Sequence, residues 1–582
     1  MRSGTSYFNL TVFRKHLTRF WPIWTAWLVV LLLMLPVRGL MALREDGAGM
    51  EGRLAWFARS IPDLTSSGFT LVMAVLVGLL AAMAACSHLY STRSANFMGA
   101  LPVRREGLFL SHYLAGLVMV LGPVLAASLL TLLVELAGGA LELLPLGYWL
   151  GYACSAGFFF YSFAVFLGMF TGHLLALPAF YLIFNFLVMA VVGLVEWALR
   201  SFYYGFGSLP DWLYDGMQWC TPVMRYTYVQ LVGQPQELFY GTTLWVYPIV
   251  AAVLAGAALL LYRRRSLESA GDVVAVRAMR PVFQYGVALC AGLFLGMVTA
   301  QLLGLPDLGL MAAILLWGVA GYFVARMLLD KSFRVWGHWK GAAVTAAVLL
   351  VLFAVVGFDL TGFETRVPRA EDVASVKVSG LQVWPSDGGN NVNVTLEDPK
   401  EIAAVIALHQ AVVDRKDRAG ATDGSDYYGG AYFDISYSMK DGATLARRYN
   451  YVLVDQELDQ LGQAVINDPD VIPQIYGFDR MEEEIGPVFM ALWQGQVVGY
   501  GDQAQQILDA VKEDIQAGCL GHHSLIYGGM ELPWLELEWR TYAPGAGEND
   551  GYSDSEVISI AVPDTATSTL AVLEELTAET EE

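Results

Sequence analysis

Nine apolar runs, at 21–43, 68–90, 112–136, 149–171, 176–199, 243–262, 284–304, 308–328 and 341–358, dominate the first three-fifths of this chain. A helix rising about 1.5 Å per residue needs roughly 20 apolar residues to cross about 30 Å of hydrocarbon. The pattern therefore predicts nine membrane-crossing helices. The first run is too long for a cleavable signal peptide and no small-residue cleavage site follows it, so it reads as the first span. Ahead of it, Leu10, Phe13, Leu17 and Phe20 recur at three- and four-residue spacing with Arg14, Lys15 and Arg19 on the other face. That spacing predicts an amphipathic elbow helix over 1–20, lying along a membrane surface.

After Phe358 the period changes. Phe433, Ile435 and Tyr437 alternate with Asp434, Ser436 and Ser438, and Asp441-Gly442 offers a tight turn before Leu445 to Tyr451, which predicts a hairpin. Further strands are expected at 374–380, 391–397, 533–540 and 556–562. Asp398, Pro399 and Glu401 make a capping box for a helix with Ile402, Val405, Leu408 and Val412 on one face. Asp502 opens a second helix with Ile507, Leu508, Val511 and Ile515. The expectation is a polytopic α-helical membrane protein with one or two mixed α and β domains appended.

Composition agrees, with 55% hydrophobic and 15% charged residues. The net charge of −20 divides unequally: 22 Lys and Arg against 15 Asp and Glu up to residue 358, and 13 against 40 beyond it. Such acidity excludes nucleic acid as the C-terminal region's partner. Orientation follows from the bases. Arg14, Lys15 and Arg19, then Arg93, Arg104 and Arg105, then Arg263, Arg264, Arg265, Arg277 and Arg280, then Lys331, Arg334 and Lys340 all fall on one side, which the positive-inside rule makes cytoplasmic. Arg44, Arg53 and Arg59 weaken the contrast from the other side. Nine crossings place residues 359–582 outside the cell membrane, whereas eight would leave them inside.

Between the second and third spans, Ser94 is expected to cap a short helix bearing Phe97, Met98 and Leu101, ended by Pro102 and followed by Arg104 and Arg105. From Arg93-Ser94 through Leu101-Pro102-Val103-Arg104-Arg105-Glu106 this stretch resembles the cytoplasmic loop of ABC-2 type transporter permeases, and the elbow is similar to that family's. The likeness covers the first six spans, to about Leu261. The later spans and the acidic region are similar to a subgroup of Gram-positive bacterial permeases with an appended C-terminal domain. The resemblance implies a six-span core over 21–262, a basic linker over 263–281, three added spans over 282–358 and an extracytoplasmic α+β domain over 359–582. It implies that Arg93, Ser94, Phe97, Met98, Leu101, Arg104 and Arg105 touch a separate ABC ATPase subunit, which carries ATP and Mg, and that a second permease, identical or homologous, completes the complex in the lipid bilayer. It also implies short re-entrant helices between spans five and six. There Trp212, Trp219 and Tyr226 are gate candidates amid a segment rich in aromatics, with Pro210 and Pro222 expected to interrupt its helices.

The chain has no G-x-x-x-x-G-K-[ST], H-E-x-x-H or G-x-S-x-G, so hydrolysis is expected on another polypeptide and no enzymatic role is assigned to this one. Among ionisable groups in the runs, Glu196 is expected to pair with Arg200, and Glu135 to sit near headgroups. Asn185 is expected to hydrogen-bond between helices, and Gly151, Ala153, Ser155 and Gly157 to permit close packing. Cys519, His522 and His523 form an incomplete metal set, Glu482 to Glu484 a solvated face, and Asn393-Val394-Thr395 a formal glycosylation acceptor. The rival to a transport subunit is a membrane-anchored sensor or envelope assembly protein whose acidic domain binds a ligand.

Overall fold

The structure is a computed structural model that describes residues 8–45, 50–63, 68–100, 103–139, 141–232, 241–265, 279–383, 391–416, 430–521, 523–526, 532–541 and 554–581. It falls into two compact units: Met1–Val195 with Asp211–Val351, and Glu196–Pro210 with Leu352–Glu582.

Nine helices among the described residues are long and apolar enough to cross a bilayer: Trp21–Arg44, Phe69–Leu89, Arg105–Ala137, Leu143–Phe170, Ala176–Phe202, Thr243–Arg264, Met279–Leu303, Asp307–Asp330 and Trp336–Gly357, here spans one to nine. Each coincides with a predicted run. Span one is bent where Pro36 removes a backbone donor, dividing it into Trp21–Met34 and Pro36–Glu45. Spans one to six contribute to one apolar core around Trp149, Tyr152, Phe160 and Tyr161, span five through Leu177 and Tyr181. Small residues let backbones meet. A Cβ on Gly78 in span two would lie 3.0 Å from the Tyr161 nitrogen, and one on Gly157 2.9 Å from Val120. The closest approach is between spans seven and eight, where a Cβ on Gly296 would meet Ile314 Cα at 2.6 Å. Ser155 instead points its hydroxyl at a tyrosine, and Gly151 faces open space.

Glu135 is fully buried among protein atoms. Asn185, expected to bond between helices, instead donates to Tyr181 O one turn back on its own helix, at 2.8 Å. Glu196 does pair with Arg200, at 2.5 Å. Arg59, one of the bases that blurs the charge pattern, is paired with Glu142 at 2.9 Å.

The second unit contains two four-stranded antiparallel sheets. The first comprises β1 (Val373–Gln382), β2 (Asn391–Leu396), β3 (Gly430–Met439) and β4 (Thr444–Leu453), in spatial order β2-β1-β3-β4. The second comprises β5 (Met490–Trp493), β6 (Gln496–Tyr500), β7 (Trp534–Thr541) and β8 (Asp554–Ala561), in order β6-β5-β7-β8. In each, a hairpin is followed by a long helix (Pro399–Asp414 or Asp502–Gln516), then another hairpin and a further helix (Gln456–Ile466 or Thr567–Glu581). Topology and order are identical, so the region is a ββαββα unit built twice. Burial follows the same step: Ile402, Val405, Leu408, His409, Val412 and Val413 match Ala504, Ile507, Ala510, Val511, Asp514 and Ile515, each 102 positions on. Phe433, Ile435 and Tyr437 match Leu535, Leu537 and Trp539 at that step, and their cross-strand partners Tyr449 and Arg447 match Ile560 and Ile558.

The predicted capping box and hairpin are present. Asp398 Oδ1 accepts from Lys400 N at 2.7 Å, and Gly442 occupies φ +85° in the turn. The two repeats interlock: Asn467 bonds both the N–H and the carbonyl of His523, and Asp459 accepts from Leu525 N at 2.7 Å. Leu525 thereby reaches the first repeat's core.

Candidate functional site

The elbow helix Leu10–Arg19 is held against the start of span three. Asn9 caps it, accepting from Thr11 N and Val12 N, while its own N–H donates to Ser111 Oγ at 2.9 Å. His16 and His112 meet Nδ1 to Nδ1 at 3.1 Å, one imidazole donating to the other, and His88 stacks on His112 with ring centroids 4.5 Å apart. Burial, then His112 and Arg19, push His16 down to about 3, so it is neutral at neutral pH. Arg14, Lys15 and Arg19 face outward as the pattern predicts. Asn9 and His16 were not singled out by sequence. The signal that would have found His16 is a polar residue inside the Phe13–Leu17–Phe20 stripe.

The loop helix is Thr92–Gly99, with Ser91 rather than Ser94 at its N-cap position. Ser94 lies in the first turn, because the chain becomes helical three residues earlier than the cap pattern suggested. Arg93 and Phe97 project outward, Phe97 being 65% exposed, and Met98 is half-buried. Leu101 and Pro102 lie outside the described residues. Arg104 precedes span three. Arg105 donates to the carbonyls of Arg263 and Arg265 at 3.4 and 3.5 Å, and Glu106 pairs with Arg263. Arg265 closes the end of span four through Gly168 O, Met169 O and Thr171 O. Bases that sequence treats alike therefore separate into exposed ones, Arg93 and Arg104, and ones that tie helix ends together. Arg277 lies outside the described residues.

Between spans five and six stand two helices, Asp211–Cys220 and Pro222–Val232. Pro210 directly precedes the first helix and Pro222 is the first residue of the second, where a missing N–H costs nothing, so both bound these helices rather than interrupting them. The three gate candidates are not one cluster. Tyr226 is fully buried, its hydroxyl 2.8 Å from Ser155 Oγ and its ring against Tyr152, Phe160 and Tyr247. Trp219 stacks on Tyr247 and carries the Arg225 guanidinium 4.2 Å above its ring. Trp212 is 71% exposed.

In the first repeat a polar quartet occupies the core. His409 bonds Tyr437 OH through Nδ1 at 2.9 Å and Tyr449 OH through Nε2 at 2.8 Å. Burial and then Arg447 push His409 down to about 3, so one nitrogen donates and the other accepts. Arg447, 1% exposed, donates to Phe363 O and to Arg366 O, and lies 3.9 Å over the Phe363 ring.

The members of the incomplete metal-type set are engaged elsewhere or lie outside the described residues. Cys519 Sγ approaches Ala517 O, His523 Nε2 faces Tyr476 OH at 3.3 Å, and His522 lies outside them. Among the described residues the group of three metal-type donors is Glu401, Asp468 and Asp470, within 4.8 Å of one another, with Lys400 3.4 Å from Asp468. Only tertiary folding brings these together. Glu482 is paired with Lys512 at 2.7 Å, and Asn393 sits within β2.

No family model, curated protein or solved structure matches the chain.

Proposed function

We propose that this chain is the membrane-spanning permease subunit of an ATP-driven transporter of the ABC-2 type, an exporter working beside a second permease. Separate ATPase subunits bind ATP and Mg and dock on the 91–110 loop, which with the N-terminus faces the cytoplasm. The observation that carries this reading is the continuity between an exposed docking helix and a pinned elbow. Phe97 and Arg93 offer an apolar and basic foothold, and span three starts a few residues later. The same end of span three grips the elbow through Ser111 and His112. A push on Phe97 is thus delivered to span three and to the helix that leads into span one. Tyr226, Trp219 and Trp212 belong to the re-entrant helices that close the opposite mouth, with Tyr226 as the buried pivot.

The test is co-purification with an ABC ATPase co-expressed from the same genome. Arg105 already serves an intramolecular contact, so the cleaner variant is Arg93→Glu with Phe97→Asp. It is expected to cut ATPase recovery by about tenfold, equivalent to about 1.4 kcal/mol of binding. Unchanged recovery refutes the docking assignment. A chain that purifies with no nucleotide-hydrolysing partner returns the sensor reading.

A further inference from the structure

Two stretches far apart in sequence converge on β4. The chain leaving span five runs beside that strand: Arg448 N donates to Gly205 O at 3.3 Å, and Phe206 forms a β-bridge with Arg447. The approach is backbone to backbone. A Cβ on Gly207 would lie 2.9 Å from Ala446 C, and Gly205, at φ +74°, would place one 2.5 Å from the Tyr449 ring. The chain leaving span nine lies over the same place. Asp359 folds it back by accepting from Phe363 N and Glu364 N at 2.8 and 3.0 Å, which presents the Phe363 and Arg366 carbonyls to Arg447. The two stretches also hold each other. Glu364 accepts from Tyr204 N at 2.9 Å and pairs with Lys416 at 3.2 Å, Tyr203 OH meets Thr361 Oγ1 at 3.2 Å, and the Phe363 ring packs on Tyr203 and Phe206.

We propose that the first ββαββα repeat is a coupling clamp, in which Arg447 locks the chain ends of spans five and nine onto β4 so that the C-terminal region and the end of span five move as one body. The repeat fold does not itself require the arrangement, because the second copy has Val511, Trp539, Ile558 and Ile560 where the first has His409, Tyr437, Arg447 and Tyr449. A buried guanidinium is costly unless its donors are engaged. Here Nη2 donates to two backbone carbonyls of the returning strap, Nε and Nη1 find no hydrogen-bond partner among the described residues, and the guanidinium lies over the Phe363 ring. The strap thus supplies every contact that offsets the burial, and the His409–Tyr449 bond fixes the strand beside it. Lifting the strap strips Arg447 of its acceptors, so the strap is either fully seated or fully released. Such two-state contacts transmit displacement in both directions. What the clamp transmits rests on the permease reading; its existence does not.

The experiment is hydrogen exchange on the full-length protein with its ATPase partner. Arg447→Ile, which installs the residue of the second copy, and Gly207→Val are expected to speed exchange of the amides of 203–207 and 361–366 by about tenfold. Amides of β1 to β3 should hold their protection. Unchanged protection of both stretches overturns the clamp. If Arg447→Ile also unprotects β1 to β3, Glu364→Ala decides the matter, since it removes the acceptor of Tyr204 N, and with it the tie between the stretches, from outside the core. Seated wild type is further expected to change exchange at 361–366 when ATP and Mg are added, and Gly207→Val to lose that response. Absence of the response in wild type with the ATPase bound overturns transmission. Failure of the ATPase to bind, read by co-purification, counts against the permease reading alone and leaves the clamp to the nucleotide-free measurement.

Discussion

The two repeats have the same strand order and the same pattern of buried positions, yet their cores are chemically opposite. The second is filled at the four matched positions by Val511, Trp539, Ile558 and Ile560, the first by His409, Tyr437, Arg447 and Tyr449. Apolar side chains need only shape, whereas polar ones need partners as well, so the first core is stable in one arrangement only. The difference separates two tasks. One copy supplies an ordinary hydrophobic core, and the other spends buried polarity on fixing a strap. The polar quartet therefore marks the module that is attached to something.

The largest expected effect removes the centre of the apolar copy. Trp539→Ala should cost about 3–5 kcal/mol, because a fully buried indole leaves a cavity that strands cannot close. Exchange of β7 and β5 amides in the intact protein reads it. A loss below about 1 kcal/mol would mean that the second core is not the self-sufficient one.

The polar copy should respond differently. His409→Val alone strands two buried tyrosine hydroxyls and is expected to cost about 2–4 kcal/mol, taking each at the lower part of the roughly 1–3 kcal/mol of an unsatisfied buried group. Replacing the quartet together, with His409→Val, Tyr437→Trp, Arg447→Ile and Tyr449→Ile, should cost less than the single change while releasing 361–366. That inequality checks whether the four act as a unit. Acid provides the same comparison without mutation. The folded value of His409, about 3, lies below its ordinary 6.5. Its contribution is therefore complete above the unfolded value and is lost as pH falls from 6.5 toward 3. Exchange in β1 to β4 should rise through that window, and His409→Val should abolish the slope.

Much of this architecture was legible, and the rest was not, for physical reasons. The nine spans could be read because a bilayer imposes a length and a polarity on each run. The β3–β4 hairpin could be read because Asp441-Gly442 separates two alternating stretches. The duplication could not. Matched positions share burial but not residue type, as with His409 and Val511 or Arg447 and Ile558, so there is no repeated string to find. The loop helix was placed three residues late because Ser94 has the right chemistry for a cap, but Ser91 holds the position. The elbow's attachment was missed because His16 and His112 are 96 positions apart and neither is unusual alone. Arg447 was invisible for the same reason: one of two adjacent arginines in an alternating strand reads as surface, and the Phe363 and Arg366 carbonyls and the Phe363 ring that offset its burial lie 81 to 84 positions away.

Asp514 offers a smaller test within the second copy. It stands where the first copy has Val412, and accepts from Ser568 N, Thr569 N and Thr569 Oγ1 at 3.1, 2.7 and 2.7 Å, capping the helix Thr567–Glu581. Burial raises its proton affinity, but those hydrogen bonds outweigh it and hold the carboxyl below its ordinary value. A depressed carboxylate stabilises above its unfolded value and loses that contribution as pH falls through the folded one. The second repeat should thus hold its protection while the first is loosening, and weaken only below about pH 4. Asp514→Asn should cost about 1–2 kcal/mol, as for other lost caps, and should flatten that acid limb. Weakening of both repeats in the same window would contradict the assignment of the earlier transition to His409.

The smallest effect concerns exposed charge, where the two copies are expected to agree. In the second, Arg480 reaches Glu556 at 3.0 Å and Glu484 at 3.4 Å; in the first, Arg448 pairs with Asp434 at 2.7 Å. All of these groups are at least a third exposed, so solvent and salt screen them and side-chain ordering offsets much of the attraction. Arg480→Gln and Asp434→Asn should each shift stability by about 0.5 kcal/mol or less, and 0.5 M salt should erase the difference from wild type. A loss several times larger at Asp434 alone would be informative, since Arg448 N also bonds Gly205 O. It would mean that the clamp extends beyond Arg447 to the outward face of β4, and that the division between the copies begins at the strand's surface rather than in its core.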